Sequence, residues 1–279
     1  MIKYAVIIPA RNEKERIKKT ILSLKSQSFS PSIIIVIDDF SNDGTGEIAK
    51  SLGARVLRVE RKSNKTLTGT PYMAYLFNRG FKEIENAEYD YIAISGADCI
   101  YPKEYFEKLI NQTMRDNAVI SSGVAQGESS SELSVRGAGR IIQTRWFKSI
   151  GFRYPLNYGF ESWPVLKALK DNFIVKVYPE IVFKLSRKTE VSIRKAYLWG
   201  KGMKALGYWS IYAIGRCLLT MLKSPKAGIK MMAGYLSYVE KYKDLGDFVA
   251  NFQKRKLYEK IISMLKLIWR KLTILHKTN

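Results

Sequence analysis

The chain has one histidine, His276, the fourth residue from its end. No Ser-His-Asp triad, Cys-His dyad, HExxH zinc site or imidazole base can therefore be built inside the fold. Acid–base work falls to carboxylates, lysine or tyrosine. Two cysteines, Cys99 and Cys217, lie far apart and supply no disulfide framework, which fits a reducing compartment. Long apolar runs are missing as well. The N-terminal one ends at Pro9 and charges begin at Arg11, too short for a signal peptide or a membrane span. The longest, residues 205–222, is interrupted by Arg216 and contains Gly207 and Gly215, and it reads as one buried or interfacial helix. Acidic residues are few: 25 against 47 Lys and Arg, for a net charge of +22.

What is present is enough for a packed core. Hydrophobic residues make up 46% and aromatic residues 12% of 279 positions, which suits one good-sized domain with an appendage. The basic charge is uneven. Residues 196–279 hold 16 Lys and Arg against Glu240, Asp244, Asp247 and Glu259. Such an excess is either a solvated face or a surface for an anionic partner: a membrane, a lipid phosphate or nucleic acid.

Residues 4–8 (YAVII) and 33–37 (IIIVI) are unbroken β-branched runs, the pattern of parallel strands buried on both faces. Residues 13–26 between them set Ile17, Ile21, Leu22 and Leu24 among Lys and Arg, an amphipathic helix. Residues 47–52 and 72–84 read as helices, 54–59 and 90–94 as strands, and 106–114 as a helix after Pro102. Residues 121–134, rich in Ser, Gly and Glu, read as a mobile loop. Residues 160–169 are expected to be helical, and 173–178 and 181–185 to be two strands. The alternation specifies an α/β domain with a mainly parallel sheet over residues 1–195, followed by a basic helical region over 196–279.

Ligands in such sheets sit beyond the carboxyl ends of the strands. The polar residues there are Arg11, Asn12 and Glu13, then Asp38 and Asp39, then Gly96, Ala97 and Asp98. Two carboxylates ending a buried strand are costly unless they bind something. Asp39 can accept a hydrogen bond from a nucleobase N–H, whereas Asp43 or Ser41 can simply cap the next helix. Asp98 suits either a turn or a hard cation that also grips a diphosphate.

VIIPARNE (6–13), VIDDFSNDGT (36–45), NRG (78–80), ISGAD (94–98) and YGFESW (158–163), in that order and at those separations, resemble family 2 glycosyltransferases over roughly residues 1–190. The resemblance implies a GT-A (Rossmann-like) fold, a nucleotide-sugar donor, Mg2+ or Mn2+, and inversion at the anomeric carbon. It places Pro9, Arg11 and Glu13 in the nucleotide-binding first loop, Asp39 on the base with Asp38 supporting it, and Gly69 and Ala97 on the same donor site. Asp98 matches the last Asp of the metal-binding Asp-x-Asp motif, and Glu161 matches the Glu of the Glu-Asp pair that supplies the catalytic base. The chain departs from the family at three positions. Gly96 replaces the first Asp of the motif, Ser162 replaces the Asp after Glu161, and Leu185 stands where some relatives have a His, leaving Arg187 as a cation for the leaving diphosphate. Attack by a sugar hydroxyl needs Glu161 as base; attack by a polyprenyl phosphate, already anionic, does not.

Gln143-Thr144-Arg145-Trp146 is one residue short of the QxxRW signature and precedes Glu161, so it is no mark of a polymerase. Trp146, with Trp163, is expected on the acceptor side. Met231, Met232, Leu236 and Val239 form an apolar stripe with Tyr235 and Tyr238, a pattern more often found in cores than in binding sites. Leu257, Ile261, Leu265, Ile268, Leu272 and Leu275 form a second one, flanked by Lys and Arg. Such a helix can lie in a bilayer surface, pack on its own catalytic domain, or pack on another subunit. The whole basic region favours the membrane, giving a cytoplasmic enzyme held peripherally at the cytoplasmic face with a lipid-linked or glycan acceptor. Two other classes remain to be weighed. A nucleotidyltransferase would carry a GGxGTR-type loop where PARNE stands. A nucleic-acid-binding protein would rest on charge alone, without zinc finger, RNP motif or helix-turn-helix.

Overall fold

The computed structural model describes residues 2–60, 67–128, 135–187 and 192–275, with side chains through 263. The chain divides into two compact units, Met1–Glu190 and Val191–Asn279, five residues earlier than the boundary read from composition.

The first unit is built on an eight-stranded sheet: β1 (Tyr4–Ala10), β2 (Ile33–Asp38), β3 (Arg55–Arg58), β4 (Tyr91–Ile94), β5 (Cys99–Ile100), β6 (Ala118–Ala125), β7 (Arg140–Gln143) and β8 (Ile174–Leu185). The strand order is β3-β2-β1-β4-β7-β6-β8-β5. Strands β3, β2, β1 and β4 run parallel, β7 is antiparallel to both its neighbours, and β6 pairs parallel with β8. The unbroken apolar runs have their physical reason here. Tyr4, Val6 and Ile8 enter one core layer, while Ala5 and Ile7 enter the other. Helices α1 (Lys14–Lys25), α2 (Thr45–Ser51) and α4 (Tyr105–Arg115) cover the first layer. Helices α3 (Pro71–Lys82), α5 (Thr144–Ser149) and α6 (Trp163–Lys170) cover the second.

Three expectations need correction. Residues 121–125 are not loop but the second half of β6, wholly buried. Their hydroxyls find partners inside the core: Ser121 Oγ lies 2.5 Å from Thr113 Oγ1, and Ser122 Oγ accepts from the Arg136 backbone N–H at 3.3 Å. Residues 129–134 of that stretch lie outside the described residues. The two strands expected over 173–185 are one, β8, with bulges where it pairs with β6. The helix expected over 205–222 begins only at Ser210: Ala205 ends the preceding helix, and a turn occupies 206–209.

The second unit holds α7 (Ile193–Ala205), α8 (Ser210–Lys223), α9 (Pro225–Leu236) and α10 (Phe248–Leu275). Its core joins Ala196 and Met203 of α7, Ala213 and Cys217 of α8, and Ala227, Met231 and Tyr235 of α9. Among the described residues no helix is long and apolar enough to cross a membrane. The distal stripe of α10, from Leu265 to Leu275, lies outside the residues whose side chains are described, as does His276.

Candidate active site

The carboxyl ends of β1, β2 and β4 open on a cavity of about 420 Å3 within the first unit. Its walls bring together Pro9, Arg11 and Glu13, then Asp39, then Ser95 through Asp98, with Gly137, Glu161 and Arg187 facing them. Leu67, Thr68, Met73, Leu76, Phe77 and Ile94 supply the apolar side.

The loops after β1 and β2 are tied to each other. Asn12 N–H donates to Ser41 Oγ (3.0 Å), Glu13 N–H to Thr45 Oγ1 (2.8 Å) and Lys14 N–H to Asp43 Oδ2 (3.1 Å). Asp43 is therefore the clasp between the loops. Burial works against its charge, but donors from Thr45 and Lys14 together hold its carboxyl below the ordinary carboxylate value. Asp38 is also a scaffold. It is buried, accepts from the Ser41 N–H at 3.0 Å and pairs with Arg58 at 2.9 Å, and it does not line the cavity. Only Asp39 faces inward, and Tyr72 Oη donates to its Oδ1 at 2.7 Å. Burial raises the Asp39 pKa above the usual carboxylate value, and the Tyr72 hydrogen bond and the Arg11 charge offset this only in part.

On the other wall, Arg187 bridges two carboxylates. Its Nε donates to Asp98 Oδ2 at 2.6 Å and its Nη1 to Glu13 Oε1 at 2.8 Å. Burial opposes the guanidinium charge, but Asp98 and Glu13 outweigh it and raise its pKa. Gly96, the departure from Asp-x-Asp, is where Asp98 folds back: a Cβ there would stand 2.7 Å from Asp98 Oδ1.

Glu161 sits exposed just before α6, and its carboxylate presses on Gly137, where a Cβ would meet Oε1 at 2.8 Å. What fixes this region is Arg140 on β7, 1% exposed, whose guanidinium donates to the carbonyls of Val135, Arg136 and Glu161. Asn78, from the NRG stretch, ties α3 to the segment before Glu161 by exchanging two hydrogen bonds with the Tyr154 backbone, at 2.7 and 2.8 Å.

The structure thus brings Pro9, Arg11, Glu13, Asp39, Ala97, Asp98, Glu161 and Arg187 to one cavity. Gly69 does not line it, although Leu67 and Thr68 do. Neither expected tryptophan lines it either. Trp146 belongs to α5 and is 3% exposed, packed in the core with its ring 6.2 Å from that of Phe173, so no face is open for stacking on a sugar. Trp163 opens α6 and is also buried. Tyr72 and Arg140 were missed: an aromatic in a helix stripe reads as core, and nothing in GAGRIIQ marks its arginine as buried.

As for metal, no cluster of three or more His, Cys, Asp and Glu side chains exists among the described residues. The donors present are nonetheless hard oxygens. Asp98 and Glu13 already converge on one cationic group, Arg187, so Asp98 is the carboxylate that would hold a hard divalent ion.

Comparison with known proteins gives the fold and the family. The 4,4'-diaponeurosporenoate glycosyltransferase of Staphylococcus haemolyticus (strain JCSC1435) is 48% identical over 73 residues, 26% of this chain and 19% of that one. The enzyme of the same name from Staphylococcus aureus (strain USA300) is 34% identical over 108 residues, 38% of this chain and 27% of the relative. The matched stretches thus span about a quarter or less of those relatives' length. Among solved structures, S. aureus TarS 1-349 with UDP-GlcNAc superposes with a TM-score of 0.57 at 15% identity, covering 89% of this chain and 84% of that one. Mannosyltransferase PcManGT of Pyrobaculum calidifontis, in complex with GDP-Man and Mn2+, gives 0.57 at 12% identity over 94% and 82%. These are GT-A glycosyltransferases, and the mixed, mostly parallel sheet flanked by helices is their fold. With the model "Glycosyl transferase family 2" matching residues 5–169, more than half of its length, the chain belongs to that family.

Proposed function

We propose that the chain is an inverting glycosyltransferase that moves a sugar from a nucleoside-diphosphate sugar, UDP favoured over GDP, to a membrane-associated or glycan acceptor. The observation that carries this reading is the convergence of Asp39, Asp98 and Glu161 on one cavity at the carboxyl ends of parallel strands. Asp39, aligned by Tyr72, accepts the base N–H. Glu161 takes the proton of the acceptor hydroxyl as its oxygen attacks the anomeric carbon, and the bond to the diphosphate breaks on the opposite face. Arg187 faces the charge that develops on the diphosphate. Mg2+ or Mn2+ held at Asp98 would supply further positive charge to that diphosphate. The lining supports a cation here: Glu13, Asp39, Asp98 and Glu161 outnumber Arg11 and Arg187 before an anionic donor enters. The Mn2+ of PcManGT and the UDP-GlcNAc of TarS support the same reading.

A second acceptor class is favoured by Ser162. A phosphate or carboxylate oxygen is already anionic, so it needs no strong base. A polyprenyl phosphate fits this, and the matched relatives' acceptor is by name a carboxylate. The basic helices of the second unit are assigned to peripheral contact with an anionic membrane at the cytoplasmic face.

A thermal-shift panel of nucleotide sugars, with and without Mn2+, tests the proposal. One UDP- or GDP-sugar should raise the midpoint, more so with Mn2+. No stabilisation by any member would overturn it.

A further inference from the structure

Helix α8 is turned inside out relative to an ordinary surface helix. Its buried residues are the small Ala213 and Cys217. On the opposite side Ile211, Ile214, Leu218 and Leu222 follow one another at steps of three and four, a single stripe. They are 63, 41, 53 and 83% exposed, and Leu219 beside them is 64% exposed. A helix of a globular domain buries such a stripe; an outward apolar face of this kind marks a surface for a partner.

The charge around the stripe selects the partner. Residues 191–239 contain Arg194, Lys195, Lys201, Lys204, Arg216, Lys223, Lys226 and Lys230, and no Asp or Glu. Arg216 and Lys223 fall at the edge of the stripe, and both are exposed. Two copies of this face brought together would confront like charges with no carboxylate on α8 or α9 to answer them. An anionic bilayer has the complementary layers: acyl chains for the leucines and isoleucines, and phosphates for guanidinium and ammonium groups that snorkel. With 14 residues, α8 is too short to span a membrane but long enough to lie in its interface.

We propose that α8 is the insertion helix of the second unit, its stripe buried at the acyl boundary of an anionic phospholipid surface. The inference rests on the membrane reading of the basic helices given above and names the part that enters the bilayer.

The test uses the full chain and vesicles of phosphatidylcholine, alone or mixed with phosphatidylglycerol. The wild type should co-sediment with the mixed vesicles. Leu218→Ser combined with Leu222→Ser should lower the partition coefficient at least about tenfold, because two large side chains lose their apolar burial. Both positions are exposed, so the thermal midpoint should stay where it was. Leu218→Trp should show blue-shifted indole emission on adding mixed vesicles. A wild type that binds while the serine pair binds equally well would overturn the role of α8 and leave the membrane reading standing. A wild type that binds neither vesicle would overturn both. Loss of a dimer in analytical ultracentrifugation on making the serine pair, with vesicle binding unchanged, would assign the face to a second copy instead. Nucleotide-sugar stabilisation, measured on the same variants, reports separately on the transferase reading and should not change.

Discussion

Gly137→Ala is expected to cripple transfer while leaving the fold intact. A Cβ at this position would stand 2.8 Å from Glu161 Oε1, 3.1 Å from Cδ and 3.2 Å from Oε2. A comfortable carbon–oxygen contact is about 3.3 Å, so the carboxylate must retreat by about half an ångström. Glu161 is exposed and its side chain can rotate away, and the Gly137 backbone is not in the left-handed region, so stability should change by less than about 1 kcal/mol. Catalysis has no such slack. A displacement on this scale at a proton-accepting group should cost roughly 10- to 100-fold in kcat. The assay is kcat and KM for transfer, with Glu161→Gln as reference and nucleotide affinity by thermal shift. The expected result is a lower kcat, unchanged nucleotide affinity and a midpoint within about 5 °C of wild type. Wild-type turnover by Gly137→Ala beside an inactive Glu161→Gln would refute the claim that this contact places the base. Full activity in both variants would remove the base role altogether and leave the anionic acceptor.

Arg140→Met should destabilise by at least about 2 kcal/mol in urea denaturation, because three inward carbonyls lose their donor at once; Arg140→Lys, with a single ammonium in place of the fork, should recover only part. Asp39 supplies a pH signature. Its folded pKa is raised by burial, so its contribution to stability is complete below the ordinary carboxylate pKa and is lost as pH rises through the raised value. Asp39→Asn should therefore be the more stable protein near neutrality, with the gap closing on acidification, while nucleotide stabilisation is lost at every pH. A gap that widens toward acid would contradict that environment.

The readable parts of the fold were those set by short-range pattern. YAVIIPA and IIIVID can only be strands buried on both sides, and polar residues placed directly after them had to face the strand ends. Arg11, Glu13 and Asp39 were legible for that reason, and Asp98 from its place beyond the apolar strand ending at Ile94. What stayed hidden depends on partners distant in sequence. Ser121 and Ser122 look like loop residues until Thr113 and Arg136 supply their hydrogen bonds. Trp146 looks like a sugar platform until the core closes over it. Arg140 is an ordinary basic residue in the sequence, and only the return of residue 161 to β7 turns it into the anchor of Glu161. Composition also misled at residues 205–209, where apolar content suggested the start of a helix and a turn delays it to Ser210.

Two of the three departures from the family pattern, at Gly96 and Ser162, form one electrostatic arrangement. At Gly96 the absence of a side chain lets Asp98 fold its Oδ1 back, leaving Oδ2 to Arg187. An Asp there would add a carboxylate to a cavity already lined by Glu13, Asp39, Asp98 and Glu161, and its Cβ would collide with the group it was meant to assist. An Asp at Ser162 would add another negative charge beside Glu161. A like charge beside Glu161 repels an incoming anionic acceptor. A hydroxyl acceptor would be indifferent to that charge; a phosphate or carboxylate would not. Loss of Asp at both positions, with Arg187 kept between Asp98 and Glu13, therefore supports the anionic acceptor over the hydroxyl one among the two proposed above.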